Sequence, residues 1–404
     1  MKTRMQSIMK RIVSGLKVWK VIATLILAAG AVATIERFTR GLGESTHLTD
    51  QFPWGLWIGF DILCGVGLAA GGFTLAAIVY VFNVKRFEPV VRPTILTAFL
   101  GYLLVIVGLM FDLGRPWQIW HAIIMWNHQS VMFEVAWCVM LYTTVLALEF
   151  APVVLERFQM TRAMKILRTV SIPLIIVGVL LSTLHQSSLG SLYLIVPEKL
   201  YGLWYSSYMP LFFYVSAIAV GCAMVIFESC LSSRAFNRGL ETHLLSELSR
   251  ISMVMLAVYA TMKIVDLADR SAFSLLFLPR PETYLYWLEI TTGIILPIAL
   301  FSFRKIRESR SGLFFGSTVV ILGFIMNRMN ISITAMQRWT GTSYFPSWME
   351  IAVTLSIVTV GFIAFSMAAK YLPIFGEETG HPAPIRDQYP LIEDLDVVSQ
   401  EGAA

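Results

Sequence analysis

Hydrophobic positions run along this chain in long unbroken stretches, not at the two- or 3.6-residue spacing of a half-buried strand or surface helix. A helix needs about 20 apolar residues to cross a hydrocarbon core. Ten stretches meet that length or approach it: 18–38, 55–84, 93–112, 129–154, 164–186, 208–230, 246–267, 283–303, 312–330 and 348–371. The pattern predicts an all-α integral membrane protein of about ten transmembrane helices. The third (Thr94 to Phe111) and fifth (Ile166 to Leu184) are the cleanest, and the ninth is interrupted by Asn327 and Arg328. The first, with its basic leader and the small residues Ala31, Val32 and Ala33, imitates a cleaved signal. Its leader is long, and removal would leave nine spans with ends on opposite faces, so a retained span is expected.

Charge then orients the helices. With the face that carries the N-terminus named A and the opposite face B, twenty-two of the 31 lysines and arginines fall at face A. By the positive-inside rule face A is cytoplasmic, with both termini inside. This divides the chain into a cytoplasmic segment 1–17, a membrane domain 18–372 and an acidic tail 373–404 expected to be disordered. Composition agrees, with 56% hydrophobic and 14% charged residues. Soluble domains carry about a quarter charged. The net charge of +5 is scattered along helix flanks and forms no basic face, which argues against nucleic-acid binding. Cys64, Cys138, Cys222 and Cys230 all fall inside spans and predict no disulfide. Of eleven tryptophans only Trp19 lies at face A. An ordinary aromatic belt populates both interfaces. The imbalance points to an aromatic surface at face B that meets a planar ligand or another subunit.

Ionisable groups inside a bilayer cost about 2.5–3.5 kcal/mol each on insertion scales, and so mark function by default. Asp61, Asp112, Arg115, Glu134 and His185 fall toward face B on helices 2 to 5. Gathered at one depth they would form a polar pocket for a redox-active headgroup; the plainer alternative pairs Asp112 with Arg115 at a helix end. The run after His185 (Gln186, Ser187, Ser188, Leu189, Gly190, Ser191) is small and polar, suited to packing against a flat ligand and hydrogen-bonding it. On helix 4, Glu134, Cys138, Tyr142 and Glu149 share one face. The rise of an α-helix spreads them over about 22 Å. With Tyr102 and Glu228 they could carry protons across much of the membrane, or simply pack. A second stripe on helix 7 holds Ser252, Tyr259, Lys263, Asp266 and Arg270, and with Glu289 and Arg328 forms a second candidate network. Its simplest pairing is Lys263 with Asp266. On helix 2, Gly65, Ala69 and Gly72 share the face of Asp61 and predict a close helix contact.

A bis-histidine haem needs two histidines at matching depth on facing helices, and only His185 of the six lies firmly inside a span. No C-x-x-C-H attachment, iron–sulfur cysteine set or phosphate-binding glycine loop occurs in the sequence.

Six blocks together carry a resemblance: FPWGLWIGFDILCGVGLAAGGF from Phe52, GYLLVIVGLMFDLGRPW from Gly101, SVMFEVAWCVMLYTTVLALEFAP from Ser130, LHQSSLGSL from Leu184, IFES from Ile226 and YFPSW from Tyr344. In these the chain resembles the polysulfide reductase membrane-subunit superfamily (NrfD/PsrC-like), and within it most closely the HybB-type subunits of respiratory nickel–iron hydrogenases. The resemblance implies two four-helix bundles plus peripheral helices, no haem or iron–sulfur cluster in this chain, and an exchangeable quinone such as menaquinone bound near the periplasmic face. It also implies a periplasmic ferredoxin-like iron–sulfur subunit and a catalytic subunit: a nickel–iron hydrogenase, a molybdopterin enzyme or a multihaem cytochrome c. Matched by position, Asp112, Glu134 and His185 look like pocket residues, joined by Gln186 and Ser188, with Tyr102 and Glu228 on the proton route beside Tyr142 and Glu149. The expected setting is a bacterial inner membrane. A proton-coupled transporter without redox chemistry and a haem-bearing b-type cytochrome remain the alternatives.

Overall fold

The computed structural model describes residues 2–341 and 343–375, so the tail beyond Phe375 and its expected disorder lie outside the described residues. Among these, ten helices are long and apolar enough to cross a membrane. They are α1 (Val18–Arg40), α2 (Trp57–Val81), α3 (Lys85–Asp112), α4 (Val131–Arg157), α5 (Thr169–Ile195), α6 (Met209–Ala235), α7 (Thr242–Asp269), α8 (Pro281–Ser302), α9 (Arg310–Thr340) and α10 (Trp348–Tyr371). Consecutive helices run antiparallel; Phe99 meets Phe150 and Tyr102 meets Tyr142 across α3 and α4.

Helices α2 to α5 pack as one four-helix bundle and α6 to α9 as a second, joined where α6 lies against α2 and α5 and where α9 lies against α2. Helices α1 and α10 form an outer pair resting on α3. In lipid the backbone must satisfy itself and helices gain nothing from hiding apolar surface, so small residues set where they touch. Along α2 and α3 that contact is built from Asp61 against Gly108, Gly65 against Val105, Ala69 against Gly101 and Gly72 against Ala98. This is the strip expected from sequence. A Cβ on Gly323 of α9 would stand 2.1 Å from the Gly293 Cα of α8, so those two backbones nearly touch.

Several helices carry wide, five-residue turns: Trp57–Cys64 and Ala77–Val81 in α2, Thr291–Ile295 in α8 and Asn330–Thr334 in α9. Such turns concentrate at functional positions, and here those of α8 and α9 closely follow Glu289 and Arg328. The regular helix that leads into α5 runs from Thr161 to Ser191, past the end near Gln186 that its polar run suggested. The bundle interior supplies the reason, since Gln186 is buried and its amide donates to the Val66 carbonyl at 3.1 Å.

Candidate functional site

In the middle of the first bundle His185 is completely buried. Its Nδ1 lies 2.8 Å from the Tyr102 hydroxyl, while its Nε2 is buried without a partner. The Tyr102 ring meets Tyr142 edge-on at 4.7 Å, and both tyrosines are buried. Ser182, one turn before His185, lies beside both phenols. An imidazole with one nitrogen fixed and the other free is arranged to exchange a proton with something outside the protein's own hydrogen bonds.

Two branches descend from this centre toward face A. On α3, five residues before Tyr102, Thr97 donates to the Glu228 carboxylate of α6 at 2.7 Å. On α4, Glu149 lies two turns below Tyr142, against Gly178 of α5. Toward face B, Ser188 lies one turn above His185 and adjoins Cys138, which in turn faces Glu134. Of the expected proton-route residues, Tyr102, Tyr142 and Glu149 therefore lie with His185 in the first bundle, Glu228 reaches it from α6 of the second, and Glu134 is exposed at the upper rim.

The single pocket of Asp112, Glu134 and His185 at one depth does not form. Asp112 is ten residues above Tyr102 on α3, about 15 Å at helical rise, so His185 is far deeper than Asp112 and Glu134. The error came from ending α5 too early, which placed His185 at the membrane surface.

Asp112 instead belongs to a second polar group at the face-B end of α1, α2, α3 and α10. Arg37 of α1 is its nearby cation and donates to the Phe111 and Leu113 carbonyls, both at 2.7 Å, closing the C-terminus of α3. Arg115, the expected partner, is exposed and pairs with no carboxylate among the described residues. Asp61 accepts from Thr354 of α10 at 2.7 Å, and one Asp112 oxygen is buried without a partner. Glu350 caps α10 together with Ser347 and accepts from the Tyr344 hydroxyl. Burial, reinforced by the hydrogen bond to Glu350, pushes the Tyr344 phenol up, so it stays protonated and donates.

The second network exists but is wired differently from its sequence spacing. Lys263 pairs with Glu289 of α8 at 3.7 Å, not with Asp266. Asp266 is taken by Arg270 at 2.6 Å, one turn farther along α7, and by Ser206 at 2.6 Å. A bidentate guanidinium at i+4 outcompetes an ammonium at i−3 that points into the bundle. Glu289 also accepts from Trp204, Asn327 and Asn330 at 2.8, 2.6 and 2.8 Å. Arg328 bonds Asn327 and Ser216 and lies 3.7 Å over the Phe213 ring.

Sequence reasoning passed over Arg37, Glu350, Tyr344, Thr354, Ser182 and Thr97. Two carried a signal: the S-x-x-E capping box at Ser347–Glu350 opening an apolar run, and a lone arginine inside the first span. The hydroxyl residues carried none, since serine and threonine usually bond their own helix.

No group of three or more His, Cys, Asp or Glu side chains that could hold a metal is found among the described residues. Comparison with known proteins adds a family match, since the model described as "Polysulphide reductase, NrfD" covers residues 44–339. A protein of Nitratidesulfovibrio vulgaris is 39% identical over 374 residues, covering 90% of this chain and 95% of that one. The "Probable Ni/Fe-hydrogenase 2 b-type cytochrome subunit" of Escherichia coli K12 is 35% identical over 345 residues, covering 84% and 88%. The "Menaquinone reductase, integral membrane subunit" of Nitratidesulfovibrio vulgaris is 26% identical over 393 residues, covering 89% and 92%.

Proposed function

This chain belongs to the polysulfide reductase NrfD family, and from that premise we propose that it is the quinone-interacting membrane subunit of a respiratory redox complex. The observation that carries the proposal is His185: wholly buried, its Nδ1 held by Tyr102, its Nε2 unpaired, and branches leading away to Glu149 and Glu228. An unpaired buried imidazole nitrogen suits the carbonyl or hydroxyl of a quinone or quinol. The headgroup binds on the face-B side of His185, between α4 and α5, where Ser188, Cys138 and Glu134 line the approach, Gln186 keeps α5 in register and Asp112 keeps the neighbouring end of α3 polar. Menaquinone is the favoured form, since one relative is named a menaquinone reductase subunit.

The quinone supplies two-electron chemistry linked to protons. His185 holds or yields the proton at Nε2, Tyr102 holds the ring in place through Nδ1, and Tyr142 and Ser182 extend the hydrogen-bonding surface below. Glu149 and Glu228 exchange that proton toward face A. Electrons enter or leave at face B, where Trp117, Trp120, Trp126 and Trp348 are exposed and a periplasmic iron–sulfur subunit docks. The lysine and arginine bias supports a cytoplasmic face A in a bacterial inner membrane. Relatives named as subunits of hydrogenase and menaquinone reductase support a catalytic partner beyond that subunit.

The E. coli relative carries "b-type cytochrome" in its name. Among the described residues of this chain His185 is the only buried histidine, and Tyr102 occupies one of its nitrogens. That arrangement does not suit two-histidine haem ligation. The test is His185→Ala in the assembled complex: quinone-coupled turnover should collapse while the partner subunits still co-purify. Unchanged turnover would move the site elsewhere, and a chain that purifies alone from its native membrane would favour the transporter reading.

A further inference from the structure

We propose that the segment Leu372–Phe375 is a strap that seals the face-A mouth where α3, α4 and α6 meet, keeping bulk water from the carboxylates Glu149 and Glu228 behind it. Its purpose rests on the quinone reading, which makes those carboxylates the face-A end of a proton route. The seal itself is a matter of packing.

The sequence turns the chain back at this point. Helix α10 ends at Tyr371, and Leu372 and Pro373 follow. A residue before proline is pushed out of the helical region, and Leu372 is extended, with φ −112° and ψ 151°. The Ile374 N–H then closes a tight turn on the Leu372 carbonyl at 2.8 Å. This brings Ile374 under the first bundle, where it is 2% exposed and buried in one cluster with Leu96 of α3 and Phe150 and Val153 of α4. An arginine holds each side of the turn. Arg92 of α3 donates to the Pro373 carbonyl at 3.2 Å and pairs with Glu156 of α4 at 3.3 Å. On the other side Arg238 lies 4.7 Å over the Phe375 ring, which also meets Phe236, just past α6, at 5.7 Å. Four residues thus tie α3, α4 and the end of α6 to α10.

Position along each helix tells what lies behind the strap. Helix α3 runs from face A to face B, so Arg92 and Leu96 come before Thr97, the residue that donates to Glu228. Helices α4 and α6 run the other way, so Phe150 and Val153 come after Glu149, and Phe236 comes after Glu228. The strap's contacts on all three helices are therefore on the face-A side of the carboxylate branches. At helical rise, Val153 is about 6 Å below Glu149 and Phe236 about 12 Å below Glu228. An apolar layer such as Leu96, Phe150, Val153 and Ile374 stays dry, so with the strap in place water from face A stops beneath the branches. The strap is also light. One buried side chain and contacts at the rim hold it, and segments with so few buried contacts open locally while their neighbours stay folded.

The test reads access to Thr97 in the full chain, in membrane vesicles with face A outward. A cysteine placed there (Thr97→Cys) reacts with a membrane-impermeant methanethiosulfonate added outside. Its rate is taken relative to Ser311→Cys, an exposed position at the face-A start of α9. With the strap intact the relative rate should be low. Ile374→Ser, which removes the buried anchor, should raise it about tenfold by making local opening easier. Phe375→Ala and Arg92→Ala should raise it less. If Ile374→Ser does not fold, the other two variants decide. A rate already high with the strap intact, or one unmoved by these substitutions, would overturn the proposal. Labelling needs neither quinone nor partner subunits, whereas His185→Ala is judged by turnover of the assembled complex, so either reading can fail without the other.

Discussion

Replacing Tyr102 by Phe removes one oxygen from the centre of the first bundle. The hydroxyl lies 2.8 Å from His185 Nδ1, and the other imidazole nitrogen already lacks a partner. The variant therefore leaves a completely buried imidazole with both nitrogens unpaired. Leaving a buried polar group unsatisfied costs about 1–3 kcal/mol, whereas hydrogen bonds between membrane helices average only about 0.6 kcal/mol. The ring stays, with its edge-on contact to Tyr142 at 4.7 Å, so no cavity term is added. Together these give a loss of about 1–2 kcal/mol, readable in detergent unfolding. The functional effect should be larger, because the ring orientation that presents Nε2 is no longer held. Quinone-coupled turnover of the assembled complex should fall about 10- to 100-fold, or about 1.4–2.8 kcal/mol of barrier. Tyr142→Phe, which leaves the Nδ1 contact in place, should cost less. A stability loss with full turnover would make the bond structural only, and no change in either would refute the reasoning.

Other outcomes follow from contacts elsewhere in the molecule. A double-mutant cycle on Lys263 and Glu289 should give a coupling energy of about 0.5–3 kcal/mol, and the same cycle on Lys263 and Asp266 one near zero; equal values would reverse the assigned pairing. Glu289→Leu alone should cost about 3–5 kcal/mol, because it strands buried cations, measured by thermal melting against Asp266→Asn. Gly323→Ala drives a methyl into the Gly293 backbone and should cost about 1–3 kcal/mol, whereas alanine at the open position Gly43 should leave the melting temperature unchanged. A dithionite-reduced minus oxidised spectrum of the purified chain should lack b-type haem bands, and stoichiometric bands would overturn the reading of His185.

The ten crossings were legible because hydropathy over a whole span is set by the bilayer and hardly by the partner helix. The small strip of Gly65, Ala69 and Gly72 was legible for a related reason, since lipid offers no other way to bring backbones close. Depth along a helix was not. The run from Gln186 to Ser191 looks like a helix end in isolation, yet it continues the helix because α2 supplies a carbonyl for Gln186. That misplacement raised His185 by more than a turn of helix and dissolved the expected pocket. Lys263 and Asp266 failed for a different reason: their spacing is correct for a pair, but each has a better-placed partner on another helix or turn. Local periodicity identifies which residues share a face and says nothing of what stands across from it.

The outer pair of α1 and α10 also sets an order of assembly. Ser356 of α10 donates to the Ile26 carbonyl, and the same serine crowds Gly30 of α1, so the earliest helix made is completed by the last. Their separation in the chain, at roughly 5–20 residues per second, amounts to between about a quarter of a minute and a minute of synthesis. Throughout that interval α1 must stay in lipid, with Arg37 held by the carbonyls of α3 well before α10 arrives. Nascent chains arrested before α10 should thus be the form on which membrane chaperones and quality-control proteases act.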